Sequence, residues 1–310
     1  MSSLPETHYM RLLPDEITAT LTRLEFLARA KKQGAMSGRH TSPNKGFSVV
    51  FAEHRQYLPG DDIRDLDWRV FAKTERYYIK QYIEETNLRA SIVLDCSGSM
   101  KYKGDQSALV GGRKISKFEY AQYLSAALAY LMIKQQDAVG LVTFDDKIRS
   151  YIKAASRPSQ VRLVLGEIDR AEPGKDTRLA QTLHEVAERI PSRGLVIILS
   201  DCFESAAGIV EAFHHFKYRN HELVLFHIMA EEELNFPFGQ SQEFKDLELS
   251  GTRIKVDPRT IRAAYLQRVK EHVSLLEKAC GQMQADYVPL TTKTPYARAL
   301  ADFISRRSRK

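Results

Sequence analysis

Cysteine, tryptophan and long apolar runs are what this chain has little of. It carries three cysteines and one tryptophan in 310 residues. Cys96, Cys202 and Cys280 are odd in number and stand at unrelated spacings, which argues against a disulfide framework and against a zinc knuckle. A reducing, cytoplasmic setting is the expectation that follows. No stretch approaches the roughly 18 uninterrupted apolar residues that a membrane span requires. The opening Met1-Ser2-Ser3-Leu4-Pro5-Glu6 has neither the basic start nor the apolar centre of a secretory signal. Internal repeats and low-complexity segments are missing as well. So is a lysine-bearing phosphate loop of the Walker type, and ATP hydrolysis by the chain itself is not expected.

What is present is ordinary soluble-protein material, 43% hydrophobic and 27% charged, in a chain long enough to bury a large core without staples. The formal net charge of +7 raises the question of nucleic acid. The basic residues are scattered, however, and only Arg306-Arg307-Ser308-Arg309-Lys310 forms a cluster. The charge therefore reads as a solvated surface that favours an acidic partner.

Periodicity predicts a helix over Asp15–Lys32, a polar loop over Gln33–Gly46 and a strand over Phe47–Arg55. Pro59-Gly60 predicts a turn. Ile63, Leu66, Val70 and Phe71 then share one face of a short helix, in which Trp68 is expected as a buried anchor and the acids as ion-pairing partners. Tyr77–Glu84 alternates like a strand. From Leu88 onward short apolar runs (Ile92–Leu94, Val139–Phe144, Leu195–Leu199, Leu223–Ile228) alternate with amphipathic segments at Ser116–Gln135, Ser159–Asp169, Leu179–Ile190 and Ala206–Arg219. Arg149–Ala155 reads as an edge strand, Pro258–Lys278 as a helix and Ala285–Leu290 as a last strand. The expectation is an α/β fold: a doubly wound, mostly parallel sheet over residues 88–310, preceded at residues 1–87 by a helix and a small β-containing extension packed on it.

Ligands of such sheets bind beyond the carboxyl ends of the strands. Three loops there carry oxygens: Asp95-Cys96-Ser97-Gly98-Ser99, Pro173-Gly174-Lys175-Asp176-Thr177 and Ser200-Asp201-Cys202. Hydroxyls and carboxylates of this kind suit a hard divalent cation, which takes about six oxygens. Cys96 and Cys202 occupy alternate positions and are expected to point away as small buried residues. His214 and His215 cannot face one metal together, and His184 and His227 have no partner identifiable from sequence.

The Asp-x-Ser-x-Ser turn, the threonine loop and the distal aspartate resemble the metal-ion-dependent adhesion site of von Willebrand factor A domains. The string Tyr57-Leu58-Pro59-Gly60-Asp61-Asp62-Ile63-Arg64-Asp65-Leu66-Asp67-Trp68 resembles the signature of the bacterial domain of unknown function 58 family. The first likeness spans about Leu88 to Ile304 and the second about Gly38 to Asp201. Together they imply a von Willebrand factor A-like fold and a non-enzymatic, metal-dependent protein-binding module, a scaffold or adaptor for a MoxR-type AAA+ ATPase. They imply Mg²⁺ (or Mn²⁺ or Ca²⁺) held directly by Ser97 and Ser99, by Thr177 in one state, and through water by Asp95 and Asp201. The open position would take an acidic side chain of the partner. The pattern departs in one place: Asp176 stands where a glycine usually precedes the threonine, which makes Asp176 a further candidate. Two other functions remain open on sequence: a Mg²⁺-dependent phosphoester hydrolase or phosphotransferase using Asp95, and a nucleic-acid binder using the basic surface.

Overall fold

The computed structural model describes residues 9–13, 49–58, 61, 63–84, 88–174, 178–239, 242–245 and 253–307. The helix expected over Asp15–Lys32, the loop over Gln33–Gly46 and the Pro59-Gly60 turn lie outside them. The chain divides into two compact units: Met1–Gln33 together with Leu88–Lys310, and Gly34–Asn87.

In the smaller unit, strand β1 (Val49–Gln56) pairs antiparallel with β2 (Tyr78–Glu84), and helix α1 (Trp68–Thr74) lies between them in sequence. Asp67 starts that helix: its Oδ1 accepts the backbone N–H groups of Arg69 at 2.9 Å and Val70 at 3.3 Å. Its other oxygen meets His54 Nε2 at 2.9 Å, while Arg55 reaches Asp61 at 2.7 Å. Asp61 and Asp67 are thus engaged in ion pairing and capping, as expected.

Two expectations fail here. Trp68 is 59% exposed and Ile63 is 62% exposed. The Asp67 cap makes Trp68 the first helical residue, where its ring meets Phe71 edge-on at 6.2 Å. Ile63 sits in a separate 3-10 turn, Ile63–Asp65, and so is off the helical face. The buried anchor is instead Leu66, which forms a β-bridge to Ile79.

The larger unit runs β3 (Arg89–Asp95), the hairpin β4 (Leu109–Val110) and β5 (Arg113–Lys114), α2 (Lys117–Lys134), β6 (Ala138–Phe144), β7 (Ile148–Ala155), α3 (Ser159–Arg170), α4 (Leu179–Arg189), β8 (Leu195–Ser200) and α5 (Ala206–Tyr218). It continues with β9 (Glu222–Met229), the short α6 (Glu231–Asn235), β10 (Gln242–Lys245), β11 (Arg253–Val256), α7 (Pro258–Gln282), β12 (Asp286–Thr291) and α8 (Tyr296–Arg307). Six strands form one sheet in the order β12-β9-β8-β3-β6-β7. All pairings are parallel except β6 with β7, the edge strand expected from Arg149–Ala155.

Helices cover both faces, which is why the strands read as continuous apolar runs. Ile92 and Leu94 of β3 join a core with α2, α3 and α8, while Val93 joins the opposite core with α4, α5 and α7. The 3-10 turn Tyr9–Leu12 docks on the first side, with Leu12 buried and Arg11 2.5 Å from Asp169. Helix α2 begins with a capping box, in which the Ser116 hydroxyl accepts from Glu119 N and the Glu119 carboxylate accepts from Ser116 N. It is buried nearly all round, as a helix central to its layer should be.

Candidate metal centre

The central strands β3 and β8 end side by side and deliver Asp95 and Ser200-Asp201 to the carboxyl rim of the sheet. Asp95 is 1% exposed and both its oxygens are occupied. Oδ1 accepts the Ser97 backbone N–H at 2.8 Å, and Oδ2 accepts the Ser200 hydroxyl at 2.5 Å. The Ser97 and Ser99 hydroxyls stand 3.1 Å apart, both buried. Ser200 Oγ also accepts from Cys202 N at 2.8 Å. That bond helps hold Cys202 at φ 51°, a left-handed conformation few non-glycine residues adopt.

Asp201 faces a cation of the protein's own. Lys117, the first residue of α2, has no exposed surface, and its Nζ donates to Asp201 Oδ2 at 2.7 Å and to Glu233 Oε1 at 2.5 Å. Burial works against the charge of Lys117, but Asp201 and Glu233 outweigh it and lift its pKa above the ordinary lysine range. Asp201 Oδ1 accepts the Phe203 backbone N–H at 3.2 Å. Behind the loop, His227 Nε2 lies 2.9 Å from the Asp201 carbonyl and Nδ1 lies 2.8 Å from the Tyr287 hydroxyl. A carbonyl only accepts, so Nε2 carries the proton and Nδ1 takes one from Tyr287. Burial pushes His227 down to about 4, so the brace is neutral.

The second loop is tied to the first where Gly174 N donates to the Cys96 carbonyl at 2.6 Å. Arg149 pairs with Asp145 and donates to the Glu172 carbonyl at 2.6 Å. Lys175, Asp176 and Thr177 themselves lie outside the described residues. Among the described residues there is no group of three or more His, Cys, Asp and Glu side chains arranged to hold a metal ion. The donors gathered here are two carboxylates and serine hydroxyls, an all-oxygen set that suits Mg²⁺ or Mn²⁺ rather than a softer ion.

The charge balance points the same way. Among the described residues, Asp95, Asp201 and Glu233 carry three negative charges against the one positive charge of Lys117 when all are ionised, a balance of −2. Burial and the neighbouring charge of Asp201 push Asp95 up to about 7. A divalent ion would neutralise the deficit, so the residues present fit one.

The family model described as "Protein of unknown function DUF58" matches residues 53–274. The chain belongs to this family. A relative of this DUF58 chain, uncharacterized protein Rv1480 of Mycobacterium tuberculosis, is 23% identical over 301 residues, covering 95% of this chain and 90% of the relative. Among solved structures it is similar to the conserved hypothetical protein BatB from Bacteroides thetaiotaomicron (16% identity, TM-score 0.46, 72% of this chain and 100% of that one). It is also similar to the SpRpn10 VWA domain (12% identity, TM-score 0.39, 70% and 95%). No helix among the described residues is long and apolar enough to cross a membrane.

The structure thus brings Asp95, Ser97, Ser99 and Asp201 to one rim, bonds Ser200 of the third loop to Asp95, and adds Lys117 and Glu233, which sequence reasoning missed. Lys117 could have been found: Ala121, Leu124 and Leu128 continue its helical face, and a lysine aligned with an apolar stripe needs buried partners. Cys96 and Cys202 are buried free thiols, with burial pushing Cys96 up to about 12 and Cys202 upward. His184 has a partner after all, His215, with their Nδ1 atoms 3.2 Å apart.

Proposed function

We propose that this chain is a metal-dependent protein-binding module without catalytic activity, working as scaffold or adaptor for a MoxR-type AAA+ ATPase. Ser97 and Ser99 hold Mg²⁺ (or Mn²⁺ or Ca²⁺) directly, Thr177 joins them in one state, and Asp95 and Asp201 act through water. Asp176 stands close enough in sequence to replace or assist Thr177. What the ion supplies is a Lewis-acidic position for a partner's carboxylate. The basic surface of the chain favours the same acidic partner.

One observation carries this reading: paired serine hydroxyls 3.1 Å apart beside a buried carboxylate that meets no cationic side chain among the described residues. The same geometry weighs against Asp95 as a phosphoryl-accepting nucleophile, because it is 1% exposed and both its oxygens accept hydrogen bonds.

The test is affinity capture of a purified MoxR-type ATPase in Mg²⁺ and in EDTA, with wild-type chain and with Asp95→Ala. The reading expects capture in Mg²⁺ that is lost with chelator and with the substitution. Capture indifferent to both ends the metal-bridge reading. Phosphate-ester turnover that disappears in Asp95→Asn would establish the enzyme instead.

A further inference from the structure

Lys117 is buried without any exposed surface and spans two loops that belong to different parts of the fold. On one side it holds Asp201, at the end of β8. On the other it holds Glu233, in the turn of helix that follows β9. Glu233 also closes the start of α6, accepting from Ala230 N at 2.8 Å, and α6 reaches α7 through the Asn235 carbonyl, which accepts from Arg262 at 3.2 Å. The neighbouring Phe236 ring lies 4.6 Å from that of Tyr265. Both oxygens of Asp201 are already taken, Oδ2 by the ammonium and Oδ1 by Phe203 N. A carboxylate so engaged is a poorer acceptor for a metal or its bound water, and the ammonium repels a second cation at short range.

The geometry points to Lys117 as a built-in competitor for the divalent ion: its ammonium occupies Asp201 in the metal-free protein and retreats onto Glu233 when the ion enters, so that α6 reports occupancy of the site. This rests on the metal-binding reading and adds a regulator to it. Two consequences distinguish it from a merely structural lysine. Removing the ammonium strengthens metal binding. Removing Glu233 leaves the ammonium with Asp201 alone and weakens metal binding, but only while Lys117 is present.

Titrating Mn²⁺ into the full chain, followed by electron paramagnetic resonance of the free ion, measures affinity for wild type, Lys117→Met, Glu233→Gln, the double variant and Ser97→Ala. The expected result is Mn²⁺ binding tightened on the order of tenfold in Lys117→Met. Glu233→Gln is expected to weaken it, and the double variant to match Lys117→Met. Hydrogen exchange with and without Mg²⁺ should change at residues 231–235 in the wild type. Unchanged or weaker Mn²⁺ affinity in Lys117→Met, with Ser97→Ala still impaired, overturns the competition and leaves the metal reading standing. If Lys117→Met does not fold, Glu233→Gln decides alone, and wild-type affinity in it overturns the proposal. Absence of Mn²⁺ binding in the wild type and in Lys117→Met overturns both.

Discussion

Replacing Asp95 with asparagine should change how the stability of the metal-free protein depends on pH. The amide keeps an acceptor for Ser97 N and a polar atom for Ser200, and it removes only the ionisable proton. In the folded wild type the carboxyl is pushed up to about 7, by burial first and by Asp201 second, from the ordinary 3.8. A raised acid binds its proton in the folded state where the unfolded chain has released it. Its contribution is therefore fully present below about pH 4 and is lost as pH rises through 7. About three units at roughly 1.4 kcal/mol each give about 4 kcal/mol.

His227 acts in the opposite direction. Lowered to about 4 from 6.5 by burial, it costs stability as pH falls from 6.5 towards 4, by about 3 kcal/mol. The two slopes largely cancel between those limits, so the wild-type curve alone is uninformative. The difference between wild type and Asp95→Asn isolates the acid. Urea unfolding followed by circular dichroism, in chelator at intervals from pH 4 to pH 8, should show the variant gaining about 4 kcal/mol relative to wild type across the series. Adding Mg²⁺ at pH 8 should close most of that gap by stabilising the wild type. Parallel wild-type and variant curves would refute the argument, because Asp95 would then share its pKa with the unfolded chain.

Asp67→Ala should destabilise the smaller unit by about 1 kcal/mol through loss of the α1 cap, with a further cost at His54, read as a lower urea midpoint; an unchanged midpoint would deny the cap its role. Hydrogen exchange across Ala297–Ser305 of α8 should respond to Mg²⁺ if that helix shifts with metal coordination, and identical uptake with and without the ion would exclude such a shift.

The sheet was legible in the sequence because each of its inner strands is buried on both faces and has to be an apolar run, and because capping residues such as Ser116 mark where helices begin. The loops at the strand ends were legible for the same reason: polar residues directly after Leu94 and Leu199 have only the rim to occupy. Trp68 was misread because aromatic size argues for burial, whereas its exposure is decided by one residue of helix phase set by Asp67. Glu233 lies 116 positions from Lys117 and Ser200 lies 105 from Asp95. Contacts at such separations leave no local periodicity. Of Lys117 and Glu233, only Lys117 carried a trace of its role, as a lysine aligned with an apolar stripe.

Cys202 holds a strained turn at the rim. Its left-handed backbone costs on the order of 1 kcal/mol that a glycine would not incur, and the Ser200 hydroxyl and the His227 brace on the Asp201 carbonyl pin the turn on either side. The loop behaves like a cocked spring: relaxing it with glycine would yield a sturdier protein whose Asp201 wanders. Screening this chain for heat resistance would select for that slackness and blunt whatever the rim is built to hold.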